Sequence, residues 1–312
     1  MGSVAVIILQ YGNADATIDC IKSVEKHNTH PVKYIVVDNC SPDDGRSAER
    51  VYRFLYTTFG GDVMAVGDDC KDCGSLPKVT LIRSAVNDGY ACGNNKGLSL
   101  AYADGDVENV LILNNDILFV EDIIPTLVSD LKSRADGAMV SPLLYKSDLK
   151  TIDANCARRA ATYGYMLKFN LMILHATKRM TRTRRLDVVP AAGLVPVELI
   201  SGSCIMVDKG FFESIGSFDS GTFLYYEENI LWEKVRRLGR MNYVDTDIKC
   251  IHLGAMTIGQ RMSRKTMRLT FQSQLYYVRR YMPHGLVKAL LLWLSHRWIE
   301  FVLTLRHGLL WR

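Results

Sequence analysis

Short apolar runs that break off into polar turns recur along the first half of the chain and set its architecture. Residues 4–9, 33–37, 79–83 and 110–113 are rich in Val, Ile and Leu, residues 137–141 form a further short strand-like run before Pro142, and each is too short for a helix. That is the pattern of strands buried on both faces of a parallel sheet. Between them lie helical patterns. Ile18, Ile21 and Val24 form one stripe behind the capping residue Asp15 and stop before Pro31, a second helix covers about 45–56, a third 98–103, and Ile123, Leu127 and Leu131 mark a fourth. Strands alternating with helices over residues 4–142 predict an α/β fold with a single Rossmann-like, mostly parallel sheet flanked by helices.

Such sheets bind ligands beyond the carboxyl ends of their strands, so the polar residues there carry the candidate chemistry. The run at 110–113 ends in Asn114, Asn115 and Asp116. Asp116, with Asn114 on the same side of an extended chain, offers oxygen to a hard cation and leaves positions open for a diphosphate; the bland alternative is a polar turn. The second strand ends in Asp38-Asn39-Cys40-Ser41, and residues 87–97 read as a Gly-rich turn whose backbone amides can face an anion. Beyond 142 the pattern loosens, with a basic run at 178–185 read as a solvated loop. Order returns with a strand at 197–207 containing Ser201-Gly202-Ser203 and a helix at 229–238. Glu227 and Glu228 stand at its amino end, where the helix dipole favours the ionised form. A strand at 241–244 precedes Cys250-Ile251-His252-Leu253-Gly254.

The 312 residues suffice for one large domain and an appendage, and the net charge of +5 is unevenly spread. From Arg261 onward the only acidic residue is Glu300. Val287, Leu290, Leu291, Leu294, Trp298, Phe301, Val302, Leu305 and Leu309 form a helical stripe there, away from Lys288, Ser295, Glu300 and Arg306. The run is too short to span a bilayer, so the stripe covers the chain's own core, pairs with a second subunit as a homodimer, or lies peripherally on a membrane. Eight cysteines are too few for a disulfide scaffold, and most fall in apolar patterns, which suggests a reducing compartment. Cys70 and Cys73 fall in an acidic, Gly-rich segment, 60–75, read as a surface insertion. No secretory signal is read at the amino terminus, so the expected location is cytoplasmic, with the cytoplasmic face of a membrane as the site of any peripheral contact. No nucleic-acid partner is expected.

Taken in order, these stretches resemble the family 2 glycosyltransferases with the GT-A fold, especially the bacterial rhamnosyltransferase-like branch. The likeness is carried by 6–11, 36–41, 87–97, 113–116, 200–204, 215–219, 226–228 and 252–254. The resemblance implies a GT-A domain over residues 1–260, with a nucleotide-binding half to about 118 and an acceptor half from about 119, followed by a basic amphipathic helical extension, 261–312. It implies a nucleotide-sugar site at Gln10, Tyr11, Asp38, Asn87, Gly89, Gly93, Asn94, Asn95, Asn114 and Asn115, with Asp38 on the base or ribose. Asp116 matches the last residue of a metal-binding DxD-type motif for Mg2+ or Mn2+, His252 a further metal or diphosphate contact, and Glu228, beside Glu227, the general base. Two departures stand out: Asn114 replaces the first acid of DxD, and Ile230-Leu231 replaces an Asp-Leu after the acidic pair.

The implied reaction is an inverting transfer of a sugar from dTDP-rhamnose or a UDP-hexose to a glycan or lipid-linked glycan acceptor in bacterial cell-surface polysaccharide synthesis. A sugar-nucleotide nucleotidyltransferase would place a Gly-rich basic loop after the first strand, and Gln10-Tyr11-Gly12-Asn13 is not one. A nucleotide-sugar-binding protein that has lost catalysis is the rival that Asn114 and Ile230 suggest.

Overall fold

A computed structural model of the chain describes residues 2–70, 73–171, 192–254 and 264–307. The basic run at 178–185 and Leu309 lie outside them. Five strands run parallel at one side of the sheet: β1 (Ser3–Gln10), β2 (Val32–Asp38), β3 (Val63–Gly67), β4 (Val79–Arg83) and β5 (Val107–Asn114), in spatial order β3-β4-β2-β1-β5. Val4, Ile7, Ile8, Ile35, Val36, Leu111 and Ile112 are wholly buried, as expected of strands covered on both faces.

The covering helices α1 (Ala14–His27), α2 (Arg46–Phe59) and α3 (Gly89–Ala103) follow the connections. Asn13 caps α1 by accepting from Ala16 N, which places the cap two residues before the expected Asp15. The Gly-rich stretch at 87–97 is not a long turn; α3 begins at Gly89, so Gly93, Asn94 and Asn95 are helical. The glycines serve packing. A Cβ on Gly93 would lie 2.5 Å from Leu9 Cδ1, and one on Gly97 would lie 2.7 Å from Ile7 Cγ2. Spaced four apart on one helix face, they let α3 seat directly on β1.

Beyond β5 come β6 (Ile117–Phe119), α4 (Ile124–Ser133), β7 (Gly137–Tyr145), β8 (Ala157–Arg158) and α5 (Tyr163–Asn170). They are followed by β9 (Leu194–Val197), β10 (Leu199–Ile200), β11 (Cys204–Asp208), α6 (Lys209–Ser214), α7 (Glu227–Arg237) and β12 (Met241–His252). The sheet continues β5-β11-β7-β12-β6 with β11 antiparallel to both neighbours, so it is mixed and mostly parallel.

Four sequence expectations are corrected here. β7 runs through Pro142 rather than ending there, because its register with β12 jumps from Asp245 to Lys249 at that point and a bulge accommodates the missing N–H. β12 is accordingly twelve residues long, not four. The strand expected at 197–207 is broken into β9, β10 and β11, first at Glu198 and then by the turn at Ser201-Gly202-Ser203. The 60–75 insertion contributes the edge strand β3, and Cys70 and Cys73 are joined by a disulfide while the other six cysteines are free.

The tail forms α8 (Arg264–Tyr281) and α9 (Gly285–His307), broken at Pro283. Leu292 of α9, Tyr277 and Val278 of α8, Met166 of α5 and Tyr226 and Ile230 at the start of α7 form a second core. The apolar stripe read from the sequence is not part of it. Val287, Leu290, Leu291, Leu294, Trp298, Phe301 and Leu305 are exposed, which removes docking on the chain's own core as their role. The inward face of α9 carries Leu292, Ser295, His296 and Ile299, with paired polar groups: Asn170 Nδ2 donates to Ser295 Oγ at 3.1 Å, and His296 Nε2 meets Gln274 Oε1 at 2.9 Å. No described helix is long and apolar enough to cross a membrane.

Candidate active site

β5 delivers Asn114, Asn115 and Asp116 to the carboxyl edge of the sheet, and the end of β12 lies beside them: Leu253 N donates to Asp116 O at 3.0 Å. This brings the His252 ring against Asp116, with Nε2 3.4 Å from Oδ2. The other ring nitrogen meets Asp153 Oδ2 at 2.5 Å. Burial alone would lower the imidazole, but its bonds to Asp116 and Asp153 outweigh burial and push it up to about 9. Burial would raise Asp153, but the His252 bond, the Asn155 amide and the nearby positive charges together outweigh it and hold the carboxyl below its ordinary value.

Ser203 Oγ also lies 3.3 Å from His252 Nε2, so Ser203, His252 and Asp153 have the connectivity of a nucleophilic triad. The chemistry does not follow. A ring protonated at neutral pH cannot take the serine proton. Ser203 instead joins Ser201 Oγ at 3.1 Å and accepts from Asn114 Nδ2 at 3.4 Å, which ties the Ser-Gly-Ser turn to the end of β5.

Facing the same space is the start of α7. Tyr225 and Tyr226 both have positive φ, 72° and 71°, a conformation that costs bulky residues free energy and re-aims the chain just before the helix. Glu227 and Glu228 follow. Glu228 Oε1 accepts from Arg158 Nη2 at 2.9 Å and lies 3.4 Å from Gly202 N, while Tyr90 Oη donates to Gly202 O at 2.6 Å. Glu227 differs: its Oε2 is buried with no protein partner, and burial followed by the adjacent Glu228 pushes the carboxyl up to about 8. The helix dipole does not win at Glu227, because desolvation and like charge oppose it more strongly.

A cavity of about 600 Å³ takes in both groups, lined by Asn114, Asp116, Ser201, Gly202, Ser203 and His252 together with Arg158, Glu227, Glu228 and the aromatic side chains of Tyr165 and Phe169. Of the residues expected at a site, it therefore collects Asn114, Asp116, Glu227, Glu228 and His252. Arg158 and Asp153 escaped sequence reading because both fall where the hydrophobic pattern loosens. A charged residue in an otherwise patternless stretch is a weak signal.

The remaining expected residues form a neighbouring cluster at the ends of β1 and β2. Gln10 Nε2 donates to Asp38 Oδ1 at 3.2 Å, and Ser41 Oγ donates to the same oxygen at 2.5 Å. Asn39 Nδ2 bonds Asn87 Oδ1 at 3.0 Å and Gly89 O at 3.1 Å. Gln10 Oε1 and Asn39 Oδ1 are buried without protein partners. Tyr11 is exposed beside them. Three expected binders have other work: Asn94 Nδ2 donates to Tyr90 O, Asn95 clamps the backbone of Phe218 in both directions, and Asn115 Nδ2 donates to Thr17 Oγ1. With Gly93 under the sheet, these shape the loop rather than line the cavity.

Among the described residues no three His, Cys, Asp or Glu side chains converge as a metal centre. Asp116 nonetheless suits a divalent cation that draws its other ligands from phosphate and water: its Oδ1 is buried without a partner, and the adjacent histidine is oriented through its far nitrogen by Asp153. The proton on His252 would compete with that cation.

No family model matches the chain. A curated relative, the low-salt glycan biosynthesis hexosyltransferase Agl10 of Haloferax volcanii, is 26% identical over 176 residues, covering 54% of this chain and 50% of the relative. The chain thus spans about half the length of the curated relative it matches. Among solved structures, that of GalNAc-T7 with UDP, GalNAc and Mn2+ matches with a TM-score of 0.57 and 13% identity, over 90% of this chain and 51% of that one. At such identity the likeness concerns the fold, and the fold is GT-A.

Proposed function

We propose that the protein is a hexosyltransferase that moves a sugar from a nucleoside diphosphate, a UDP-hexose or dTDP-rhamnose, to a hydroxyl of a glycan or lipid-linked glycan. The observation that carries this reading is the single cavity shared by Asp116 with His252 and by the Glu227–Glu228 pair. The hexosyltransferase relative and the GT-A fold support it. The nucleotide would lie along the carboxyl edge, with its base or ribose at Asp38 and its diphosphate toward Asp116. Bound at Asp116 and His252, Mg2+ or Mn2+ would supply positive charge beside the leaving diphosphate.

This chain's own residues do the rest. The acceptor oxygen attacks the anomeric carbon as the bond from that carbon to the diphosphate oxygen breaks, inverting the configuration, and the acceptor's proton passes to Glu228. Arg158 fixes the orientation of Glu228 through a bond to Oε1 at 2.9 Å. The test is release of nucleoside diphosphate from a panel of UDP- and dTDP-sugars with either metal. Consumption of a donor that accelerates with glycan acceptor is expected. Binding of a donor without turnover in the presence of acceptors would make this a nucleotide-sugar-binding protein, and no binding at all would end the reading.

A further inference from the structure

Helix α9 is inside out. Nine large apolar side chains on it, from Leu286 to Leu305, are 45–71% exposed, while its buried face holds the polar Ser295 and His296, bonded to Asn170 and Gln274. The exposed face extends over about five helical turns, longer than the scattered apolar residues usual on a protein surface. Trp293 and Trp298 stand on it, and Arg268 of α8 lines a groove with Trp293 and Arg297. Residues 264–307 carry eight Lys and Arg against the single acid Glu300.

We infer that this face lies on an anionic lipid bilayer, with the helix in the plane of the interface. Apolar side chains enter the acyl boundary, tryptophans sit at headgroup depth, and the flanking guanidinium groups meet lipid phosphate. Charge selects this occupant over a second copy of the chain: Arg297 already pairs with Glu300 at 2.8 Å, but the remaining basic surplus, Arg268 included, would be brought toward its own kind by pairing two such faces, while an anionic surface neutralises it. The opposite face of α9 braces the cavity. Tyr163 Oη donates to Lys288 O, Leu292 packs with Met166, and His296 holds Gln274, while Met166 and Gln274 both line the cavity. A membrane under α9 would thus lie one helix away from the cavity wall. The consequence that the acceptor is presented by that membrane rests on the transferase reading; the docking itself does not.

Flotation of the full chain with phosphatidylcholine vesicles, with and without phosphatidylglycerol, tests the docking without any sugar donor. Partition should require phosphatidylglycerol and weaken with salt. The double variant Leu290→Gln, Trp298→Gln removes exposed side chains only and should lower partition by a factor on the order of 10² while leaving the unfolding midpoint unchanged. Arg268→Glu should weaken partition in the same vesicles and supplies an independent variant. Equal partition of wild type and variants, no partition of wild type, or a wild-type dimer that the double variant converts to monomer would each overturn the proposal, the last in favour of a second copy.

Discussion

Replacing Asp153 with asparagine should lower the proton affinity of His252 and expose how the Asp116 site is tuned. The ring stands at about 9 instead of an ordinary 6.5 even though burial pulls it down. That difference corresponds to about 3 kcal/mol of preference for the protonated ring. Two carboxylates supply it, Asp116 at 3.4 Å from Nε2 and Asp153 at 2.5 Å from Nδ1. Asp116 contributes most and Asp153 next, and because burial pulls the ring down throughout, removing the Asp153 charge should bring it to about 7.5 or below. A raised folded-state pKa stabilises the fold fully below 6.5, and that stabilisation is lost as pH rises through about 9. The variant should be less stable than wild type by roughly 2 kcal/mol near pH 6, with the gap from this source closing above about pH 9. Imidazole nitrogen shifts followed by NMR in metal-free protein, with urea denaturation at both ends of the range, measure the two effects. In wild type, divalent-cation affinity should also climb toward pH 9 as the competing proton leaves. An unchanged His252 midpoint in Asp153→Asn would refute the account of the site's electrostatics.

Glu228→Gln should keep donor binding and reduce transfer by a factor on the order of 10² or more, because it preserves shape and removes the accepting oxygen. If Glu227→Gln abolishes transfer while Glu228→Gln does not, the two roles are exchanged. Gly89→Ala should destabilise the protein by about 3 kcal/mol or more, since Gly89 has φ +88° and the new Cβ would lie 2.0 Å from Phe223 O. Chemical denaturation with an unchanged midpoint would show that the 87–89 loop tolerates separation from the 218–223 segment. His296 is pushed down to about 3, by burial first and then by Arg297, so its neutral form supports the fold above 6.5 and that support is lost as pH falls toward 3. His296→Gln should flatten this acid limb in thermal unfolding, and an identical limb would place its cause elsewhere.

The fold was legible where burial on both faces left uninterrupted Val, Ile and Leu, as in β1, β2 and β5. It was less so where a tertiary partner decides the outcome. Nothing local in residues 137–145 says that a strand can pass through Pro142; the bulge that permits it lies on β12, a hundred residues later. The helix at 89–103 reads from sequence as 98–103 only, because its glycines look like turn residues until the sheet beneath them is seen. At the site, Asp116, His252 and the Glu227–Glu228 pair could be picked out as polar ends of ordered elements. Asp153 and Arg158 gain meaning only through contacts across 99 and 70 residues of chain. For α9, periodicity identified the apolar stripe but not which way it faces, since a helix buried by one face and a helix lying on another surface have the same spacing.

Asp116, at the end of β5, is the proposed anchor of a metal-bridged nucleotide sugar. Calorimetric titration of UDP and dTDP into the wild-type protein and Asp116→Ala, each with and without Mn2+, tests it directly. Wild type should bind one of the nucleotides far more tightly with Mn2+, and Asp116→Ala should lose that metal-dependent gain while keeping its fold. Equal, metal-enhanced binding by both proteins would contradict the assignment.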